Sequence, residues 1–335
     1  MTHDIELWIR ETGWITTIQD LGRRDSERLG VPTGGAADQR SAAVANVLVG
    51  NQRTAPLIET VGAGFAFTPS RDILIAVTGT PATLTVDGEQ IEMWHPAPVA
   101  AGMEVRLSEP RFGARSYVAV NGVIQTETFL GSAAPDARMG FGQTLRRASA
   151  LSLRSSYNGL RLSYFDRSLF NLPVPRVPLD QRTWTIDVVE TAELEAIPGL
   201  RKLLASSTYI VTDRSDHVGL RLDGPVLHPT NTDEVVSHGV PVGALEIPHS
   251  DELIVLGRYR TLTAGYPIIG VATQGSLALL GQSAPGRELT FRWVDRVAAR
   301  REAYAYDSAL RDLEERVLRV FTALGLPTTA DRITA

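Results

Sequence analysis

Two segments near the N-terminus concentrate the residue types that hold small polar ligands. Thr16-Thr17-Ile18-Gln19-Asp20-Leu21-Gly22-Arg23 sets an amide, a carboxylate and a guanidinium side by side, and Gly30-Val31-Pro32-Thr33-Gly34-Gly35-Ala36-Ala37-Asp38 follows closely. A glycine-flanked loop entering a helix exposes backbone N–H groups and the positive end of the helix, which suits a carboxylate, carboxy-phosphate or phosphate group. Asp38 serves either that site or simply the N-cap of the helix, a position aspartate favours. Asp20 and Arg23 form either a surface pair of little energetic weight or a buried polar set that fixes a ligand amide or carboxylate. Asn46 stands inside the expected helix, where asparagine has poor propensity, so it must bond something specific, backbone or ligand. Asn51 reads as a C-terminal cap. Glu59, in Leu57-Ile58-Glu59-Thr60, must be paired or protonated if buried, with Arg23 as the expected partner.

Four of the six histidines, His217, His228, His238 and His249, follow one another at separations of 11, 10 and 11 residues. That spacing suits successive strands rather than a zinc motif. Convergence on one metal with Glu246 is the weaker reading beside neutral structural histidines, and no metal site is expected. No G-x-S-x-G, P-loop or dinucleotide fingerprint occurs.

Composition narrows the chemistry further. The 335 residues carry 33 basic and 38 acidic side chains, a formal net charge of −5, and no cysteine. All but one of the basic residues are arginine, the exception being Lys202, so a P-loop lysine or lysine Schiff base is not expected. Thiolate metal sites, iron–sulfur clusters, disulfides and thiol nucleophiles are excluded. Mild acidity without a basic block argues against nucleic-acid binding. No apolar run reaches the roughly 18 residues of a membrane span, and the first residues lack a secretory pattern, so a soluble cytoplasmic protein is expected.

The elements that must position these groups are mainly strands. Short β-rich runs punctuated by glycine and proline, among them Ile73–Val77, Ala82–Val86, Ser116–Val120, Trp184–Val189, Glu252–Leu256 and Leu277–Leu280, give a mainly β chain. Asp87-Gly88 predicts a hairpin in which Ala82–Val86 returns as Glu89–Met93. Pro267–Leu280 reads as two buried strands and a turn. Helical spacing marks Asp38–Gly50, a segment Thr191–Ala205 interrupted by Pro198, and Val294–Leu324, one long helix or a pair, with Leu310, Leu313, Val317, Phe321 and Leu324 on one stripe. The three prolines in Asn171–Pro178 place a linker there, giving domains 1–172 and 179–293 and a helical segment 294–335.

Several motifs together resemble the carboxyltransferase family of the 5-oxoprolinase C subunit, which includes allophanate hydrolase subunit 2 homologues and part of the urea carboxylase carboxyltransferase domain. They are T-T-I-Q-D-L-G-R (Thr16–Arg23), G-V-P-T-G-G-A-A-D (Gly30–Asp38), A-N-V-L-V-G-N (Ala45–Asn51), L-I-E (Leu57–Glu59) and A-V-T-G (Ala76–Gly79) in the first half. The second half contributes G-L-R-L-D-G-P (Gly219–Pro225), S-H-G-V (Ser237–Val240) and A-G-Y-P (Ala264–Pro267). The resemblance implies two cyclophilin-like β-barrel domains with a C-terminal helix, a cleft between them, a subunit-B-like partner chain, and a small amide-, lactam- or urea-like substrate. It implies no cofactor bound by this chain alone; a biotin carrier or ATP would come through partner subunits.

The second half departs from the family's polar pattern. His217-Val218-Gly219 stands for arginine-methionine-glycine, Ser237-His238-Gly239 for serine-glutamate-glycine, and Glu246 for glutamine. Tyr259, Leu262, Thr263, Ala264 and Gly265 stand for an aspartate, two threonines and two glycines, so one threonine and one glycine remain; Gly275 replaces an aspartate, and Glu190-Thr191-Ala192 replaces G-P-Q. The resemblance thus yields a catalytic set of His238, Glu246, Arg23 and Asp20, with Gln19, Gly34, Asp38, Asn46, Glu59, His217 and Tyr266 binding the substrate. Two functional readings follow: an enzyme subunit for carboxyl transfer or cyclic amide hydrolysis with an altered substrate, or a non-catalytic binding or regulatory subunit.

Overall fold

A computed structural model of the chain describes residues 2–108, 110–159, 168–196, 199–227, 236–248 and 252–328. Contacts divide the chain into two units that are not contiguous in sequence. The first comprises Met1–Gly22, Gln39–Arg176 and Tyr306–Ala335; the second comprises Arg23–Asp38 and Val177–Ala305. The division passes between Arg176 and Val177, inside the proline-rich stretch. The glycine-flanked loop therefore belongs to the second unit although it lies near the start of the chain.

The first unit is two antiparallel sheets closed over one core. Seven strands run in the order Val123–Ile124, Ala150–Ser155, His3–Glu11, Phe65–Pro69, Val105–Leu107, Leu84–Val86, Glu89–Ile91. Five more run Ile15–Gln19, Leu57–Val61, Arg115–Val120, Ile73–Gly79, Pro96–Val99. Alternating side chains from both, such as Ile5, Leu7 and Ile9 from one and Ile73, Ile75 and Val77 from the other, meet in the core. The Asp87-Gly88 hairpin is present as expected, Leu84–Val86 pairing with Glu89–Ile91 and both turn residues at positive φ. Helix α1 (Gln39–Leu48) packs on the strands Ile73–Gly79 and Arg115–Val120.

In the second unit seven strands close into a barrel, in the order Thr183–Glu190, Ile268–Ala272, Ala244–Glu246, Leu253–Leu256, Gly219–Asp223, Thr208–Val211, Glu288–Trp293. The last pairs in parallel with the first, Thr183 opposite Glu288. Trp184, Ile186, Val188, Leu245, Leu289 and Phe291 fill the interior. A short ribbon, His238–Gly239 paired with Thr263–Ala264, lies beside a small outer cluster of Val240, Ala244, Ile254, Leu256 and Ile268.

The mainly β expectation holds, with two local corrections. Leu277–Leu280 is not a strand but part of a helix, Gln274–Gln282, because Thr273 caps the run, its hydroxyl accepting the Ser276 N–H at 3.3 Å. A short apolar run suits a buried strand or a buried helix equally, and the cap decides. The segment expected as one interrupted helix is a 3₁₀ turn, Ala192–Ala196, followed by helix α2 (Leu200–Ser206), so the capped helix Gln274–Gln282 is α3. The C-terminal segment is a single 29-residue helix, α4 (Arg296–Leu324), burying Leu310, Leu313, Val317 and Phe321. Among the described residues no helix is long and apolar enough to cross a membrane.

Candidate functional site

The residues singled out by sequence fall into two groups. In the first unit, Gln19 ends the strand Ile15–Gln19 and its Nε2 donates to Thr17 Oγ1 at 3.2 Å. Asp20 is buried and both its oxygens accept: Oδ1 from Gly22 N at 2.7 Å and Ser132 Oγ at 2.6 Å, Oδ2 from Ala133 N at 2.7 Å. Its carboxylate ties the loop around Ser132 to the end of that strand. Asn46, fully buried in α1, donates to Ala55 O at 2.7 Å and accepts from Asn51 Nδ2 at 3.3 Å. Asn51 also donates to Val120 O, so the two asparagines brace the end of the helix against the sheet. Glu59 faces Arg115 on the neighbouring strand, with Oε1 3.8 Å from Arg115 Nε.

The second unit gathers Arg23, Gly34, Asp38, His217, His238, Glu246 and Tyr266. Arg23 is 1% exposed, one of the largest buried side chains of the protein. Gly34 donates its N–H to Arg258 O at 3.1 Å and adopts φ +59°. A Cβ at Gly34 would lie 2.9 Å from Arg23 Nη1 and 3.1 Å from Tyr259 Cε1, so the bare glycine backbone lets a guanidinium and an aromatic ring approach together. The His217 ring meets Tyr259 edge to face at 5.4 Å. Asp38, fully buried just before α1, accepts from Gln282 Nε2 at 3.0 Å.

Glu246 and His238 complete this set. Along Ala244-Leu245-Glu246-Ile247, Leu245 and Ile247 join the barrel core while Ala244 joins the outer cluster, which turns Glu246 outward beside Ile254 and Ile268. Its carboxylate is 5% exposed and Oε1 has no hydrogen-bond partner among the described residues. Burial pushes this carboxyl above its ordinary range, and the nearby His238 imidazole opposes the shift. His238 Nδ1 lies 3.3 Å from Val236 O, and Nε2 lies 3.5 Å from Glu193 Oε1.

Three members were missed by sequence reasoning. Arg260 is 2% exposed, donates from Nε to Val240 O at 2.6 Å, and pairs through Nη2 with Glu27, while Nη1 is buried with no hydrogen bond among the described residues. The signal was Arg258-Tyr259-Arg260, two cations around an aromatic ring at the end of an apolar strand. Glu27 and Glu193 carried none, being acidic residues in polar turns. His228 and His249 lie outside the described residues. Among the described residues no group of three or more His, Asp or Glu side chains is arranged to hold a metal ion.

The arrangement offers an acid–base pair beside an apolar wall, and two buried guanidinium groups suited to a carboxylate. Known proteins resemble this chain over most of its length. The chain is 28% identical to the C subunit of 5-oxoprolinase from Escherichia coli (strain K12) over 296 residues, 85% of this chain and 90% of that protein. It is 28% identical to the urea amidolyase of Lachancea kluyveri over 364 residues, 97% of this chain but 19% of that protein. The crystal structure of the K. lactis urea amidolyase matches with a TM-score of 0.81 at 24% identity, covering 92% of this chain and 20% of that one, a likeness of fold. Residues 29–293 match the model of the carboxyltransferase domain, subdomain A and B, and the chain belongs to that family.

Proposed function

We propose that the protein is one subunit of an enzyme acting on the nitrogen of a small amide, lactam or urea, with a substrate altered from that of its relatives. The observation that carries this reading is the buried Glu246 carboxyl facing His238, in the same unit as the buried guanidinium groups of Arg23 and Arg260. The relatives named as the 5-oxoprolinase C subunit and as urea amidolyase support the amide or urea class and a multi-subunit assembly.

In this reading His238 takes the proton from the substrate nitrogen as that nitrogen becomes nucleophilic. Glu246, whose carboxyl is pushed up by burial, returns a proton or holds an N–H of the substrate. Arg23 and Arg260 hold the carboxylate that develops on transfer; the buried Nη1 of Arg260 is a donor with no hydrogen bond among the described residues. This chain's residues would receive a carboxyl group from a biotin carried by another subunit, or act with activation that ATP bound elsewhere would supply. Asp20 positions the Ser132 loop instead of reacting.

The test is to copurify the chain with a subunit-B-like partner and assay ATP and bicarbonate consumption with 5-oxoproline, urea and related amides. Turnover that falls about 100-fold or more in folded His238→Ala supports the acid–base role. Absence of both a partner and turnover favours the non-catalytic binding subunit.

A further inference from the structure

A β-bulge beside Glu246 frees the backbone of Ile268. The pairing register between Ala244–Glu246 and Ile268–Ala272 shifts between Leu245 and Glu246, so Ile268 lies next to Glu246 without a regular ladder partner on its other side. Both of its backbone groups are taken up by the 3₁₀ turn region: Glu193 Oε2 accepts the Ile268 N–H at 2.6 Å, and Thr191 Oγ1 donates to Ile268 O. The Glu193 carboxylate is thereby fixed to the barrel wall. Its other oxygen, Oε1, lies 3.5 Å from His238 Nε2.

The opposite ring nitrogen, Nδ1, faces Val236 O at 3.3 Å, an oxygen that only accepts. Of the two acceptors the Glu193 carboxylate is the stronger, so in the neutral ring the proton sits on the buried Nε2 and points at Glu193, which leaves the lone pair on Nδ1. Nε2 has no other partner among the described residues.

We propose that Glu193 is a positioning residue for His238: its carboxylate accepts the Nε2 proton, which orients the imidazole, and it balances the positive charge the ring gains when Nδ1 takes a proton. This rests on the reading of His238 as proton acceptor given above. One proton moves from the substrate nitrogen to Nδ1, the electron pair stays on that nitrogen, and Glu193 remains a carboxylate throughout. The other acidic group described near the ring is Glu246, from the strand Ala244–Glu246, and the ribbon strand paired with His238 contributes only Thr263 and Ala264.

Glu193→Gln separates the two roles of the side chain, since its carbonyl oxygen can still accept the Ile268 N–H while the charge is lost. The full chain is labelled with diethyl pyrocarbonate across pH, and modification of His238, 30% exposed, is mapped by peptide mass spectrometry. We expect Glu193→Gln to remain folded and to change the rate of His238 labelling about twofold or more, because the carboxylate that holds the ring is gone. With the partner subunit present, kcat should fall about tenfold or more with KM within about twofold. Glu193→Asp should restore part of both effects. Unchanged labelling in folded Glu193→Gln overturns the proposal and leaves Glu193 a brace for Ile268. If labelling shifts but folded His238→Gln keeps full turnover, the pairing stands, the proton-acceptor reading fails, and the catalytic role of Glu193 fails with it.

Discussion

Replacing Asp20 by alanine strips acceptors from three donors at once: Gly22 N, Ser132 Oγ and Ala133 N, all between 2.6 and 2.7 Å from the carboxylate. Ser132 and Ala133 are each 1% exposed, so their donors lose a partner where water does not readily replace it. At about 1–3 kcal/mol for each buried donor left unsatisfied, these two donors alone cost about 2 kcal/mol at the least. Ser132 Oγ also accepts from Ala134 N at 3.0 Å, so a displaced Ser132 carries Ala134 with it. Urea denaturation should show a lower midpoint with an unchanged slope, and limited proteolysis should cut the loop around Ser132 faster than in the native chain. Asp20→Asn should fall between, keeping Oδ1 but turning an amide N–H toward Ala133 N. A folded Asp20→Ala that loses less than about 1 kcal/mol while activity disappears would refute the bracing role and return Asp20 to the chemistry.

Three further outcomes are expected. Gly34→Ala should destabilise the second unit by about 1–2 kcal/mol from the positive φ alone, and more from the approach to Arg23 and Tyr259; a calorimetric scan with no change would contradict the close packing at Gly34. The raised carboxyl of Glu246 means that the folded chain keeps a proton the unfolded chain has lost, so this group costs stability as pH rises above the ordinary carboxylate range. Glu246→Gln should thus match the native chain near pH 4 and be the more stable of the two at pH 8, read by denaturant titration at each pH; a gap that narrows toward pH 8 would contradict the burial of that carboxylate. Arg53 joins α4 through a bidentate contact to Glu314, with Nε to Oε1 at 2.8 Å, and through Asp307 at 2.9 Å. Arg53→Ala should cost about 1 kcal/mol, less in high salt, and a salt-independent loss would point to packing instead of charge.

How much of this was legible in the sequence depends on whether the cause was local. The Asp87-Gly88 hairpin and the buried stripe of α4 follow from turn chemistry and helical period, which act within a few residues. Leu277–Leu280 went wrong because the decision lay with the Thr273 cap just outside the run. At the site, Arg23, Gly34, His238 and Glu246 were visible from motifs, but their meeting in one unit depends on the segment Arg23–Asp38 joining the barrel formed by residues far along the chain. Asp20 and Asn46 stand out in the sequence as polar residues in apolar surroundings; only their partners, the Ser132 loop and Ala55 O, show that both brace the fold. Glu193 owes its place to a bulge at Glu246, and nothing in the local sequence announces a register shift.

The most direct measurement is turnover by this chain bound to its partner, with ATP, bicarbonate and an amide or urea substrate, comparing native protein with Arg23→Ala and His238→Ala variants shown to be folded. His238→Ala should lose kcat about 100-fold or more, and Arg23→Ala should lose activity through a weakened hold on the carboxylate. Full activity in both variants would contradict the assignment of these two residues to the site.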